Sequence, residues 1–349
     1  MDRPNTRWLL MFLLVAWAGL TGITLVKGGV FYLGKHEGDA LHLLEILFRM
    51  YAGDVPHLDF MTPIGGFAFA PIVAMMHAGL GVGTAILVAQ SALGLVFGLA
   101  ALRVAASRLT PPMAFFFVGL VLVLCMALIH GQAEQSISIS MHYNRWAWAA
   151  AFLAILAALL APRRQAVILD GLIIGLALAF LAMTKATYFV AFFLPVALAL
   201  ALRKEWATAG VAALASVLVI AAISISYGVG YWAAYIGDLA TVAISDVRAK
   251  PGVSFKQVVS APAYVAGSIL LVVSVIALRQ AGRATEGVIL LLLVPGFFYV
   301  TYQNFGNDPQ WLFFLAVLLL TSKPEDGAKG AFGWDLSRGL PFLGALALA

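Results

Sequence analysis

DALHLLEILFRMYAGDVPHLDFMTPIGG, residues 39–66, carries Asp39, Glu45, Asp54, Asp59, His42, His57 and Arg49 together with two prolines and three glycines, in a chain that is otherwise overwhelmingly apolar. In its first half, Asp39, His42, Glu45 and Arg49 are spaced three, three and four apart, which is one face of an α-helix. Leu41, Leu44, Leu47, Phe48 and Tyr51 cover much of the rest. The spacing predicts an amphipathic helix over 39–51 lying at a membrane surface, with Asp39, His42 and Glu45 facing one outer cavity. Asp39 also suits the N-cap of that helix. Beyond Gly53, the prolines at 56 and 63 and the Gly65-Gly66 pair punctuate the chain, and a second surface helix is expected over 64–78. The segment therefore reads as helix, rigid turn, helix.

Outward from it the chain is a membrane protein. Of 349 residues, 63% are hydrophobic and 11% charged, which excludes a soluble fold. Apolar runs of membrane-spanning length predict helices near 8–26, 83–102, 112–129, 146–161, 166–183, 186–202, 206–225, 261–278, 285–301 and 311–322. The fold class is thus all-α, a polytopic bundle of about ten transmembrane helices in a single domain over 1–349. A further apolar run from Leu340 is too short to cross a core of roughly 30 Å at 1.5 Å per residue, and reads as a chain cut short at its C-terminus. The first run follows Arg3 and Arg7 with no small-residue cleavage site after it, so it reads as an anchor.

Placing the N-terminus in the cytoplasm puts thirteen of the 21 basic residues, Arg103, Arg108, Arg163, Arg164 and Arg203 among them, on the inner side, as the positive-inside rule expects. All six histidines then fall in outer segments or at outer ends of spans. The two longest outer segments are 27–82, which holds the quoted stretch, and 227–260. Basic residues are scattered between apolar runs and form no stripe, so nucleic acid is not an expected partner; the bilayer is. The single cysteine, Cys125, lies inside an apolar run and cannot form an intramolecular disulfide.

Asp39, followed by an amphipathic helix and then AGDVPHLDFMTPIGG, resembles the first outer loop of the GT-C superfamily of membrane glycosyltransferases, which includes protein mannosyltransferases and the aminoarabinose transferase that modifies lipid A. The resemblance covers the first third of the chain and extends in span order to about residue 310. It implies an inverting transfer of a sugar from a polyprenyl-phosphate carrier to a lipid, glycan or protein acceptor, on the periplasmic face of a bacterial inner membrane. Asp39 takes the place of the base that deprotonates the acceptor. Lys185, in LAMTKATYF, resembles the lysine facing the donor phosphate, where a cation offsets charge growing on the leaving oxygen. Arg145 is a second candidate for the phosphate.

His142, Tyr143 and Asn144, in HYNRW, suit hydrogen bonding to sugar, with Trp146 and Trp148 in an interfacial belt. Asp59, His57 and Glu45 of the quoted stretch, and Asn304 and Asp308 in TYQNFGNDPQW, complete the expected substrate-binding set. Two departures bear on metal use: Ala40 stands where many relatives have a second acid, and Glu134 is the sole acid of the second outer loop. No histidine pair has a ligand spacing such as HExxH. No cofactor or metal is assigned, and a divalent ion stays an open alternative. The competing readings are a transporter or flippase of lipid-linked sugars, which would need ionisable residues at mid-depth that the spans lack, and a non-catalytic membrane scaffold.

Overall fold

In the computed structural model, residues 4–28, 32–34, 36–127, 136–137, 139, 141–245, 254–304, 309–330 and 333–349 are described. The fold is all-α, with fifteen helices among these residues. They are α1 (Thr6–Gly28), α2 (Glu37–Ala52), α3 (Ala70–His77), α4 (Val82–Arg108), α5 (Pro111–Met126), α6 (His142–Leu159), α7 (Val167–Thr184) and α8 (Ala186–Leu202). Then come α9 (Trp206–Tyr227), α10 (Gly230–Ala243), α11 (Phe255–Ser260), α12 (Pro262–Gln280), α13 (Ala284–Gln303), α14 (Trp311–Thr321) and α15 (Leu336–Leu346). A two-residue parallel ladder, β1 (Tyr32–Leu33) with β2 (Ser136–Ile137), ties the segment before α2 to the segment before α6.

All ten runs read as spans fall on helices, but only α1, α4, α7, α9 and α13 are long and apolar enough by themselves to cross a membrane. The reason differs among the others. With 16, 17 and 11 residues, α5, α8 and α14 are short. α6 opens on the polar turn HYNR, and from Trp146 to Leu159 every residue is buried. A helix apolar on all sides belongs in a core, and α6 packs against α4, α5, α7 and α8 as the buried centre of the bundle. α1 is its opposite: only Leu9 and Leu13 are buried, so it lies at the periphery against α4 and α5.

The tightest helix pair is α7 with α9. Gly171 and Gly175 share one face of α7, and a Cβ on Gly175 would come within 2.2 Å of the Ala212 carbonyl oxygen. Such small-xxx-small spacing lets two backbones approach where lipid offers no hydrophobic gain for association. At one end of the bundle, Asp170 in the first turn of α7 accepts from Arg103 and Arg108 of α4, each at 3.0 Å. Arg108, buried, also donates to the carbonyls of Ala157 and Leu160 at the end of α6. This rivet joins three helices at the end opposite α2.

Three expectations change in detail. Asp39 is not the N-cap of α2: His36, at φ 55°, precedes the helix, and Asp39 sits two residues inside it, within the first turn. The second surface helix is a 3-10 turn, Gly66–Ala68, followed by α3, because Pro71 fits only the first turn of a new helix. The run from Leu340 belongs to α15, an amphipathic helix capped by Asp335, whose side chain accepts from the Ser337 N–H at 2.9 Å. Leu336, Leu340 and Leu343 turn inward while Phe342 stays exposed.

Candidate functional site

The stretch between α2 and α3 is a strap held at both ends. Gly53, at φ 108°, closes α2 with the Gly53 N–H on Met50 O and the Asp54 N–H on Arg49 O, a pairing that needs the left-handed region a glycine enters freely. Arg49 then holds the turn that follows. Its Nε donates to Asp54 Oδ2 at 2.9 Å, its Nη2 to the Asp59 carbonyl at 3.2 Å, and its guanidinium lies 4.3 Å from the Phe60 ring centroid. Asp59, expected to meet substrate, accepts the Val55 N–H at 2.7 Å. Both aspartates are therefore turn residues, which is the usual reason for Asp in such a segment.

His57 takes a left-handed φ of 74° and its side chain is 0% exposed. Nδ1 lies 2.8 Å from Asp238 Oδ2 in α10, and the same oxygen accepts the Thr62 N–H at 3.1 Å. The ring meets Tyr235 and Tyr231 edge-on. Burial pulls the His57 pKa below its ordinary value, and the hydrogen bond and charge of Asp238 only partly oppose it. Further along, the Gly65 N–H donates to the Thr184 carbonyl, and a Cβ on Gly65 would come within 2.1 Å of Met183 O. At Ala68 the strap's carbonyl meets His142 Nε2 at 2.8 Å. The strap thus docks on the ends of α6, α7 and α10.

One of those docking points, Thr184, adjoins Lys185. The lysine occupies the break between α7 and α8, and Nζ donates to Asn144 Oδ1 at 2.7 Å and Asn304 Oδ1 at 2.8 Å. The ammonium is 5.4 Å from the Tyr143 ring centroid. Asn304 Nδ2 donates to the Tyr188 hydroxyl at 2.8 Å. Asn144, Asn304 and Tyr188 are buried, so two amide oxygens held in the interior fix the ammonium's position. Two polar atoms on residues next in sequence to Lys185 and Asn144 are buried with no hydrogen-bond partner: Thr184 Oγ1 and Arg145 Nη2. Buried donors without partners are rare.

A small cleft adjoins this seat. Asp39, His42, Leu43 and Ile46 of α2 face Ile64 and Phe69 of the strap and Ile139, Met141, His142 and Tyr143 at the start of α6, around a space of about 40 Å³. That is room for about one water, whose share of liquid volume is roughly 30 Å³. Glu45 is not among the lining residues: it is exposed, 3.8 Å from His42. The face of α2 that packs inward is Ala40, Leu43, Ile46 and Leu47, while Leu41 is 67% exposed.

A third feature is an apolar groove of about 760 Å³ lined by α7, α8 and α9, with Trp232 of α10 at the strap's end and Trp206 at the other.

Compared with protein-family models, curated proteins and solved structures, the chain matches none.

Of the residues singled out from sequence, the fold brings Asp39, His42, His142 and Tyr143 to one cleft and Tyr143, Asn144, Lys185 and Asn304 to one seat. Tyr143 belongs to both. Asp59 and His57 serve the strap, and Asp308 lies outside the described residues. Sequence reading passed over Tyr188, Thr184, Tyr235 and Asp238. Tyr188 and Thr184 sit within or at the edge of apolar runs and Tyr235 in the outer segment 227–260, with nothing to set them apart, whereas Asp238, an acid inside an otherwise apolar stretch, carried a signal. Among the described residues no three His, Cys, Asp or Glu side chains form a group able to hold a metal.

Proposed function

We propose that the chain is a polytopic membrane glycosyltransferase of GT-C type, crossing a bacterial inner membrane about ten times as a single domain, N-terminus in the cytoplasm, and moving a sugar from a polyprenyl-phosphate carrier to an acceptor at the outer face. The observation that carries the reading is Tyr143, whose ring lies under the Lys185 ammonium and also lines the cleft of Asp39. A carboxylate placed to take a proton and a cation placed to meet a phosphate thereby share one aromatic neighbour. Glycosyl transfer asks for that pair: a base on the acceptor as it attacks, and positive charge on the oxygen that leaves.

Lys185 reaches its seat by hydrogen bonds to two amide oxygens, which orient the side-chain nitrogen. Arg145 Nη2 and Thr184 Oγ1, buried without hydrogen-bond partners, supply further donors for a phosphate. The apolar groove beginning at Ala182 and Met183 suits the carrier's hydrocarbon tail, because its walls are almost wholly aliphatic and aromatic. The cleft at Asp39 has to widen before a sugar can enter it, so movement of α2 or the strap belongs to the reaction.

The test uses purified full-length protein, a polyprenyl phosphate and its glycosylated form. Asp39→Asn should keep donor binding while transfer falls roughly 10²- to 10⁴-fold. Lys185→Ala should weaken polyprenyl-phosphate binding by roughly ten- to a hundredfold, the range of a charge-assisted hydrogen bond. Wild-type transfer rates in Asp39→Asn, or unchanged phosphate binding in Lys185→Ala, would overturn the reading.

A further inference from the structure

α10 is seated unlike any long helix of the bundle. Its two buried residues, Tyr231 and Tyr235, form with Met183 and Ile223 a small cluster separate from the main core, while Ile236 is 63% exposed. Polar ties hold it instead. Asp238 Oδ2 accepts from His57 Nδ1 and from the Thr62 N–H, both on the strap, and the Tyr235 hydroxyl donates to Ala182 O at the end of α7. With a carboxylate as partner, Nδ1 is the nitrogen that carries the hydrogen. At its start α10 leaves α9 through Gly228, at φ 80°, and Gly230, and a Cβ at either would meet nothing within 4 Å. That is a hinge with space around it. Between hinge and latch, Trp232 lines the strap end of the apolar groove.

We propose that α10 is a hinged lid over the mouth of the α7–α8–α9 groove, that His57 and Asp238 are its latch, and that what passes under it is a single hydrocarbon chain. The inference rests on the proposed function only for the identity of that chain as the tail of a polyprenyl carrier. Three observations carry the lid itself. The groove extends about 20 Å along α9 from Trp206 to Ile220 at 1.5 Å per residue, a shape for one extended chain rather than a compact ligand. α7 and α9 are both long and apolar enough to cross a membrane, so the groove between them is supplied with chains by lipid. The lid is fastened by a few hydrogen bonds instead of continuous core packing, and weakly packed segments open at low free energy. Because the strap that carries His57 also docks on Thr184, next to Lys185, opening the latch loosens the seat of the ammonium at the moment the chain moves.

The test is stopped-flow energy transfer from protein tryptophan to a dansyl-labelled C15 prenol and to its phosphate, using the full chain in detergent. Asp238→Ala removes both acceptor bonds and should speed uptake and release together, on the order of tenfold, the scale of one lost charge-assisted hydrogen bond. Asp238→Asn retains an acceptor oxygen but not the charge, and should fall between wild type and Asp238→Ala. A second arm guards against a variant that fails to fold. Thr62→Cys with Asp238→Cys, bridged by a short cleavable crosslinker, should slow uptake by on the order of tenfold and recover on cleavage; Cys125 is buried and does not interfere. Uptake indifferent to both the alanine change and the crosslink would overturn the lid. Latch-dependent rates support it with either probe. Equal affinity for prenol and phosphate, unchanged by Lys185→Ala, would instead remove the donor reading and leave the lid standing.

Discussion

Lys185 bears a point charge on a flexible stem, and two amide oxygens, from α6 and α13, hold it in one place. An arginine carries the same charge on a planar fork and does not reproduce a seat built for a tetrahedral ammonium. Lys185→Arg should therefore recover only part of the polyprenyl-phosphate binding lost in Lys185→Ala, as isothermal titration would show. His57 gives a second residue-scale expectation. The groups facing it are Asp238, Tyr231 and Tyr235, and burial outweighs the carboxylate, so its folded pKa lies below the unfolded value near 6.5. The unfolded chain then binds the proton more readily. Stability from this site is full above about pH 6.5 and is lost as the pH falls through that value toward the lowered folded pKa. Thermal unfolding between about pH 7 and 5 should show a smaller acid-side loss in His57→Asn, which tolerates the left-handed φ and keeps a donor to Asp238.

Among elements, the contact of α7 with α9 has the least slack. Gly175 stands against the Ala212 backbone, which cannot rotate away as a side chain could. Gly175→Val should force the helices apart and lower stability by about 1–3 kcal/mol or more, read as an earlier thermal transition, whereas Gly210→Ala on α9, with nothing within 4 Å of its added methyl, should change little. Elements also show how far sequence patterns reach. The spacing of Asp39, His42, Glu45 and Arg49 marks α2 as a helix, since side-chain period is a local property of the backbone. Which face packs inward was not legible from that spacing: Leu41 and Leu43 are equally apolar, and only the position of α3 and α6 exposes the first and buries the second. Likewise α6 and α7 read alike as apolar runs, although one is a buried centre and the other a candidate span.

For the whole molecule, the strap with its partners ties one end together and the Asp170 rivet the other. Asp170→Ala would leave Arg108, 2% exposed, and the partly covered Arg103 without their carboxylate. Breaking a buried pair from one side typically costs about 3–5 kcal/mol, so this change should lower the thermal transition while leaving polyprenyl-phosphate affinity, measured below that transition, within about twofold of wild type.

What the sequence determined by itself is what depends on near neighbours: an all-α apolar chain, an amphipathic helix over 39–51, a stiff polar turn after it, and a set of polar residues too costly to leave in lipid without a task. It also marked Lys185, Asn144 and Asn304 one at a time. Their meeting was a tertiary decision, since 41 residues separate the lysine from the first amide and 119 from the second, and no local pattern states which distant helix end will close over a charge. The pairing of His57 with Asp238 spans 181 residues and turns on the same physics. Helix periodicity fixes the face a side chain occupies, while its partner is chosen by the close packing of α7, α9 and α10 and by the rule that a buried polar group must find one.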